Sequence, residues 1–185
     1  GGFPTIRHNE VRDITARLLK QVAQQVSIEA HLQPLSGEHL RYRTAIADDQ
    51  ARLDVAASGI WGGRFKRTFI DVRVFNPYAS SNRSKPFAVC YVKHEKEKKR
   101  TYEQRIQHAG HAPFVPAVFS TSGGMSKCAS ALYKRIACLL SAKFTERYSA
   151  VIAHIHCRLS FALLRSCIMC LRGARSIFTP AARLL

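Results

Sequence analysis

The fold of this chain is decided by residues 68–75, whose sequence is TFIDVRVF. β-Branched and aromatic residues predominate in this stretch, and Ile70, Val72 and Val74 alternate with the residues between them. Because successive side chains of a strand point to opposite faces, the alternation predicts a strand with one apolar face directed to a core. Asp71 falls in the middle of that strand on the opposite face, where a solvated loop acid is not expected.

A second strand is predicted shortly before the first, at residues 52–57, with the sequence RLDVAA. It has the same alternation, and Asp54 lies between two apolar residues. Residues 59–63 contain three glycines and are typical of a turn, so the two strands are predicted to form a hairpin or close neighbours. Asp54 and Asp71 can then converge at one point of the sheet.

The rest of the chain is largely helical in its periodicity. Thr5 is the expected N-cap of the first helix, and Pro34 with Ser36-Gly37 predicts a turn after it. The predicted helices cover about residues 8–25, 86–107, 125–143 and 147–172, and a further strand covers about 114–119. This order predicts an α/β fold in which helices flank a small mixed sheet.

The charge balance of the 185-residue chain favours an anionic partner. Lys and Arg total 29 against 12 Asp and Glu, which gives a formal net charge of +17. Nucleic acid is the commonest partner of such a chain. An anionic membrane surface and a merely basic, soluble protein remain as alternatives, since net charge alone does not separate them.

The six cysteines indicate neither a disulfide framework nor a zinc site. The sequence begins without methionine and without a secretory leader, which predicts a piece of a longer polypeptide whose thiols are reduced. Cys167 and Cys170 form a CxxC pair, but no second pair accompanies it. Because a structural zinc ion needs four ligands, core cysteines are the favoured interpretation.

The last predicted helix has the length of a membrane span. Residues 149–171 are largely apolar, but Arg158 and Arg165 lie among them. An arginine near the centre of a bilayer costs about 2.5 kcal/mol or more, so a buried helix packed on protein is predicted, and no membrane partner.

Two aspartates on neighbouring strands are suited to a hard divalent cation. Mg²⁺ prefers carboxylate oxygens, and a bound ion can activate water and neutralise charge on a phosphate. The alternative is that Asp54 and Asp71 form ordinary ion pairs with neighbours such as Arg52 and Arg73. Strand periodicity alone does not decide between these interpretations.

A lysine and a tyrosine on the charged helix add a possible third element. Lys98 and Tyr102 are four residues apart and therefore share one helix face. A lysine near a scissile phosphate can stabilise negative charge or orient water. The alternative is a solvated helix face, because residues 93–100 read KHEKEKKR.

Taken in order, these motifs resemble the restriction-like endonuclease domain of non-LTR retrotransposons. The resemblance is carried by residues 52–55 (RLDV), 69–74 (FIDVRV) and 97–98 (EK), with Tyr102 one turn later, and by Arg7-His8 before the first helix. It covers about residues 6–120. In the wider superfamily the essential lysine usually lies on the strand, two residues after the second acid. In the retrotransposon domains it lies on the following helix instead, and in this chain the strand position is Arg73 while Lys98 lies on the predicted helix.

The resemblance implies a restriction-endonuclease-like core of the PD-(D/E)xK superfamily. It implies Mg²⁺ or Mn²⁺ held by Asp54 and Asp71, with Lys98 and Tyr102 as the other catalytic residues. The expected activity is nicking of target DNA in the nucleus to prime reverse transcription, with reverse transcriptase and zinc-binding segments as partners in a longer polyprotein. The expected division is a core at 5–122, a C-terminal helical extension at 123–175 packed on it, and a tail at 176–185.

Glu10 is the expected third acid of the metal site, as helix glutamates are in some related nucleases. Its alternative is a solvated glutamate in the first helical turn, stabilised by the helix dipole. Two alternatives to the nuclease itself remain: a DNA-binding domain of the same fold without activity, and a basic helical module bound to an acidic protein.

Overall fold

The computed structural model describes residues 2–33, 41–108 and 112–173. Four helices and four strands follow one another within these ranges. In chain order they are α1 (Phe3–Lys20), β1 (Val26–His31), β2 (Arg52–Ser58), β3 (Arg67–Phe75), α2 (Phe87–His108), β4 (Phe114–Ser120), α3 (Lys127–Phe144) and α4 (Tyr148–Gly173).

The strands form one mixed sheet in the order β1-β2-β3-β4. The first three are antiparallel to their neighbours, whereas β3 and β4 are parallel. A parallel pair needs a long crossover, and α2 provides it. The predicted α/β class, with helices flanking a small mixed sheet, is therefore confirmed.

One hydrophobic core joins α1, α3 and α4 to one face of the sheet. It contains Val55, Ile70 and Val72 from the two predicted strands, together with Leu19 of α1 and Ile136 of α3. Helix α2 covers the opposite face, where Ile106 packs near Phe69. The alternation in residues 68–75 thus separates two apolar layers, and helices α3 and α4 share a core with α1 and the sheet.

The first helix and the first strand differ from prediction. Helix α1 begins at Phe3, with Pro4 in its first turn, so Thr5 lies inside the helix and is not its N-cap. The helix ends at Lys20, and residues 26–31 form β1, which the sequence predicts neither as a strand nor as a neighbour of β2. Val22 and Val26 continue the helical spacing of the sequence, but pairing with β2, Val26 opposite Ala57, overrides it.

The other predicted elements agree with the structure to within about two residues at their ends. The predicted turn at Pro34 and Ser36-Gly37 and the tail at 176–185 lie outside the described residues. The division of the chain at residue 122 stays a prediction.

Helix α4 is less buried than predicted. Ile155, Leu159 and Leu163 pack into the core, but Phe161 and Leu171 are 66% and 69% exposed. The expectation of a buried helix is therefore wrong for the outer face, because α1 and α3, the described helices that pack most extensively against α4, leave Phe161 and Leu171 exposed. Within the described ranges, α4 alone is long and apolar enough to cross a membrane by length and composition.

Candidate active site

Asp71 lies in the middle of β3, and its side chain is only 6% exposed. The Lys98 Nζ atom, from α2, lies 2.7 Å from Asp71 Oδ2. The ammonium of Lys98 is thus the ion-pair partner of this buried carboxylate oxygen, and its charge lowers the pKa of Asp71 in part. The structure therefore brings the predicted lysine of α2 onto the predicted acid of β3.

Asp54 lies where β2 and β3 separate. Their ladder ends at the pair Val55–Ile70, whereas β3 continues to Phe75 beside β4. The main-chain N–H of Val72 donates to Asp54 Oδ2 at 2.6 Å. A side-chain carboxylate thus accepts the N–H next to Asp71, and this fixes Asp54 beside the second acid.

The two arginines considered as simple ion-pair partners of these acids are paired elsewhere. The Nη1 atom of Arg52 lies 3.7 Å from Glu29 Oε2, and the Nη1 atom of Arg73 lies 3.3 Å from Glu97 Oε2. The alternative in which Arg52 and Arg73 neutralise Asp54 and Asp71 is therefore not supported by the contacts of the structure.

His8 of α1 is a site residue that the strand and helix patterns do not reveal. Its Nε2 atom lies 3.0 Å from Asp54 Oδ2 and 3.0 Å from the carbonyl oxygen of Val72. Because both partners accept hydrogen bonds, Nε2 carries the proton and donates to them. The hydrogen bond to Asp54 is the main cause that raises the pKa of His8. The one signal in the sequence is the Arg7-His8 pair, to which the sequence patterns assign no role.

The electrostatics show that the two acids and Tyr102 form one cluster. Burial raises the pKa of Asp71 to about 6, and the charge of Asp54 adds to the rise, which Lys98 only partly offsets. Burial, followed by the charges of Asp71 and Asp54, raises the pKa of Tyr102 to about 12. The ring centroid of Tyr102 lies 5.5 Å from Lys98 Nζ, within cation–π range.

Asp54 and Asp71 supply carboxylate oxygens, the ligands that a divalent ion of the magnesium type prefers. Two neighbouring carboxylates, one of them buried and each raising the cost of the other's negative charge, favour an added cation. Mg²⁺ is usually held by one or two carboxylates and completes its shell with water and substrate phosphates. Within residues 2–33, 41–108 and 112–173, no group of three or more His, Cys, Asp or Glu side chains could hold a metal, so a closed protein cage is not formed there.

Glu10, the third predicted acid, has a different neighbour. Its Oε1 atom lies 3.6 Å from Arg165 Nε of α4, and its buried Oε2 atom has no hydrogen bond. It lines a cleft between α1 and α4 that contains Arg17 and Arg158. Its assignment as a metal ligand stays a prediction that no contact with the aspartates supports.

No family model matches the chain. A search of curated proteins finds no significant match either.

The pKa of Asp71 predicts how metal binding should depend on pH. A proton competes with a metal ion for a carboxylate, so Mn²⁺ affinity should be steady above about pH 6 and fall about tenfold per pH unit below it. Isothermal titration calorimetry with Mn²⁺ between pH 5 and pH 8 measures this. Affinity that does not change across that range would mean that Asp71 is not a ligand.

The contacts of His8 predict a pH-dependent contribution to stability. Loss of its hydrogen bonds in His8→Ala should lower the free energy of unfolding by about 1–2 kcal/mol, and His8→Gln, which keeps a donor, should recover part of this. Because the pKa of His8 is raised, the ionic part of its contribution is complete below pH 6.5 and is lost as pH rises through the folded-state pKa. Urea unfolding of the natural protein and of His8→Ala should therefore show a larger loss of unfolding free energy at pH 6 than at pH 9. An equal or larger loss at pH 9 would contradict this assignment of His8.

Proposed function

We propose that this domain cleaves DNA by metal-dependent phosphodiester hydrolysis, on a core of the restriction-endonuclease type. The observation that carries the proposal is the contact of 2.7 Å between Lys98 and the buried Asp71, with Asp54 fixed beside them by the Val72 N–H. An acid pair can hold a divalent ion that activates water, and an adjacent lysine can stabilise negative charge on a phosphate, so together these groups can support hydrolysis of a phosphodiester. In this proposal Asp54 and Asp71 would hold Mg²⁺ or Mn²⁺, and the ion would supply activation of water and neutralisation of charge at the phosphate.

The remaining residues act on the substrate or on the acids. Lys98 donates hydrogen bonds to a phosphate oxygen on which negative charge develops, since its ammonium already lies at the acid pair. Tyr102 keeps its proton at neutral pH, because its pKa is about 12, and so acts as a hydrogen-bond donor and not as a base. His8 is a positioning residue that holds Asp54 and the Val72 carbonyl in place.

The proposed substrate follows from the charge of the chain and from the resemblance. A net charge of +17 favours a polyanion, and the retrotransposon endonuclease domains imply DNA that is nicked to prime reverse transcription in the nucleus. Reverse transcriptase and zinc-binding segments of the same polyprotein are the proposed partners.

A plasmid assay tests the proposal. Purified protein with Mg²⁺ should convert supercoiled plasmid to the nicked form, and EDTA or Asp54→Ala should prevent it. Asp49→Asn is a matched control, because Asp49 is an exposed acid that precedes β2 and is not one of the groups that shift the pKa of Asp71. Nicking that persists unchanged in Asp54→Ala would refute the site.

The outcome without nicking also discriminates between the alternatives. Salt-sensitive binding of DNA with no cleavage in Mg²⁺ or Mn²⁺ would support a non-catalytic DNA-binding domain. Little salt-dependent affinity for DNA would instead support a basic module that binds an acidic protein.

A further inference from the structure

A cationic cleft lies on the side of α2 that faces away from the candidate active site. Its volume is about 410 Å³. Arg41 and Tyr42, which precede β2, form one wall, and Lys96, Lys99 and Arg100 of α2 form the other. None of these five residues belongs to the proposed catalytic set.

The geometry of a helix separates this cleft from Lys98. Lys96 and Arg100 are each two residues from Lys98, so they project about 200° around the helix axis from it. Lys98 reaches Asp71 across the inner side of α2. A ligand in the cleft therefore lies across the helix from the acid pair, and its binding is measurable without cleavage.

The cations of the cleft are not neutralised by acids. Glu103 is the one carboxylate in the lining, so four cations and one anion leave an excess of three positive charges. Among the residues that the structure describes, no carboxylate lies within 4.0 Å of the charged groups of Arg41, Lys96, Lys99 or Arg100. The guanidinium carbons of Arg41 and Arg100 lie 5.5 Å and 5.9 Å from the ring centroid of Tyr42. An aromatic ring holds these arginines, and their charge stays available to an anion.

A buried arginine fixes the two walls to each other. Arg105 of α2 is 2% exposed, and its guanidinium donates to four main-chain carbonyl oxygens. Two of them follow β1 in the chain and two precede β2. The acceptors belong to Leu32, Gln33, Ile46 and Asp48. Arg41 is held in addition by its main-chain N–H, which donates to Gln104 Oε1 at 2.7 Å. The cleft is thus held in place before a ligand arrives.

We infer that this cleft binds the phosphates of a nucleic-acid strand outside the segment that is cleaved. The inference rests on the proposed function for the identity of its partner. Successive phosphodiesters, each with one negative charge, match an excess of three positive charges better than a single small anion does. Arginine and lysine side chains along a groove are the usual contacts to a nucleic-acid backbone.

Charge reversal in the cleft tests this inference. In EDTA, where no cleavage occurs, fluorescence anisotropy with a labelled 20-nucleotide DNA, single-stranded and duplex, gives the dissociation constant as a function of salt. Lys99→Glu/Arg100→Glu should weaken binding by about tenfold or more and lower the salt slope by about two. Lys134→Glu/Arg147→Glu, which changes the net charge equally on α3 and before α4, should have a smaller effect. Circular dichroism of both variants checks that they are folded before their binding is compared.

The results separate this inference from the proposed function. Equal binding by the two double variants would overturn the cleft as a nucleic-acid site, whether or not the protein nicks plasmid. Displacement of the labelled DNA by polyglutamate as readily as by unlabelled DNA would also overturn it, in favour of an acidic protein. Weakened binding in the cleft variant, together with normal binding by an inactive Asp71→Asn protein, would support it.

Discussion

Replacing Asp71 with asparagine is expected to abolish Mg²⁺-dependent cleavage and to make the protein more stable at the same time. The neutral amide could not supply the negative oxygen that a divalent ion needs, so cleavage should fall by about three orders of magnitude or more. The gain in stability follows from burial, which raises the pKa of Asp71 from 3.8 to about 6. A rise of about two pKa units corresponds to about 3 kcal/mol that the folded protein loses when the carboxyl ionises.

The pH dependence of that gain is set by the direction of the shift. Because its pKa is raised, the Asp71 carboxyl binds its proton more tightly in the folded than in the unfolded protein. Its contribution to the free energy of unfolding is therefore most favourable below pH 3.8 and is lost as pH rises through about 6. Asp71→Asn should therefore be more stable than the natural protein at pH 8, by on the order of 1–3 kcal/mol, and close to it at pH 4. Urea unfolding without metal measures this, with Asp49→Asn as the neutral control.

Loss of activity with loss of stability would have a different meaning. It would indicate that Asp71 and Lys98 form a structural ion pair, because truncating one partner of such a pair exposes the other as an uncompensated charge. A gain in stability with loss of activity is instead expected of a residue whose position serves function at a cost to the fold.

Replacing Lys98 with alanine is expected to lower cleavage by about 100- to 1000-fold while Mn²⁺ still binds. The reason is that Lys98 acts on the charge of the phosphate, whereas the acids bind the ion. Calorimetry with Mn²⁺ at pH 8 and the plasmid assay separate the two effects. Lys134→Ala, which removes a lysine from the outer side of α3, is the control. Loss of Mn²⁺ binding in Lys98→Ala with an intact fold would contradict the assignment.

A second variant asks whether the position of the lysine matters or only its charge. Arg73 lies two residues after Asp71 on β3, and its side chain is 37% exposed beside Glu97. Lys98→Ala/Arg73→Lys should recover part of the lost cleavage if a lysine near the acid pair is what the reaction needs. No recovery, with metal binding retained, would mean that only the approach from α2 is productive.

The sequence predicted those parts of the fold that depend on local periodicity. Residues 68–75 alternate so regularly that β3 and its one apolar face of Ile70, Val72 and Val74 could be predicted, whereas the second apolar layer, around Phe69, is seen only in the structure. Strand β1 was missed because its residues extend a helical pattern, and only pairing with β2 makes them a strand. The exposed face of α4 was missed because composition does not say how many neighbours a helix has.

The candidate site was predictable to a similar degree. Asp54 and Asp71 follow from their places in two apolar strands, whereas Lys98 came from the resemblance and not from its spacing. His8 is 46 residues from Asp54 in sequence, and no local pattern relates the two. The tertiary hydrogen bond from Val72 N–H to Asp54, at the point where β2 and β3 separate, is likewise not visible in sequence patterns.

The central claim, that Asp54 and Asp71 hold the metal ion of a nuclease, is tested most directly by anomalous diffraction from crystals soaked in Mn²⁺. We predict a Mn²⁺ peak between the two carboxylates, with metal–oxygen distances of about 2.1 Å, and no such peak in Asp71→Asn crystals. If the protein nicks DNA with Mn²⁺ but its soaked crystals show no Mn²⁺ peak at Asp54 and Asp71, the claim is contradicted.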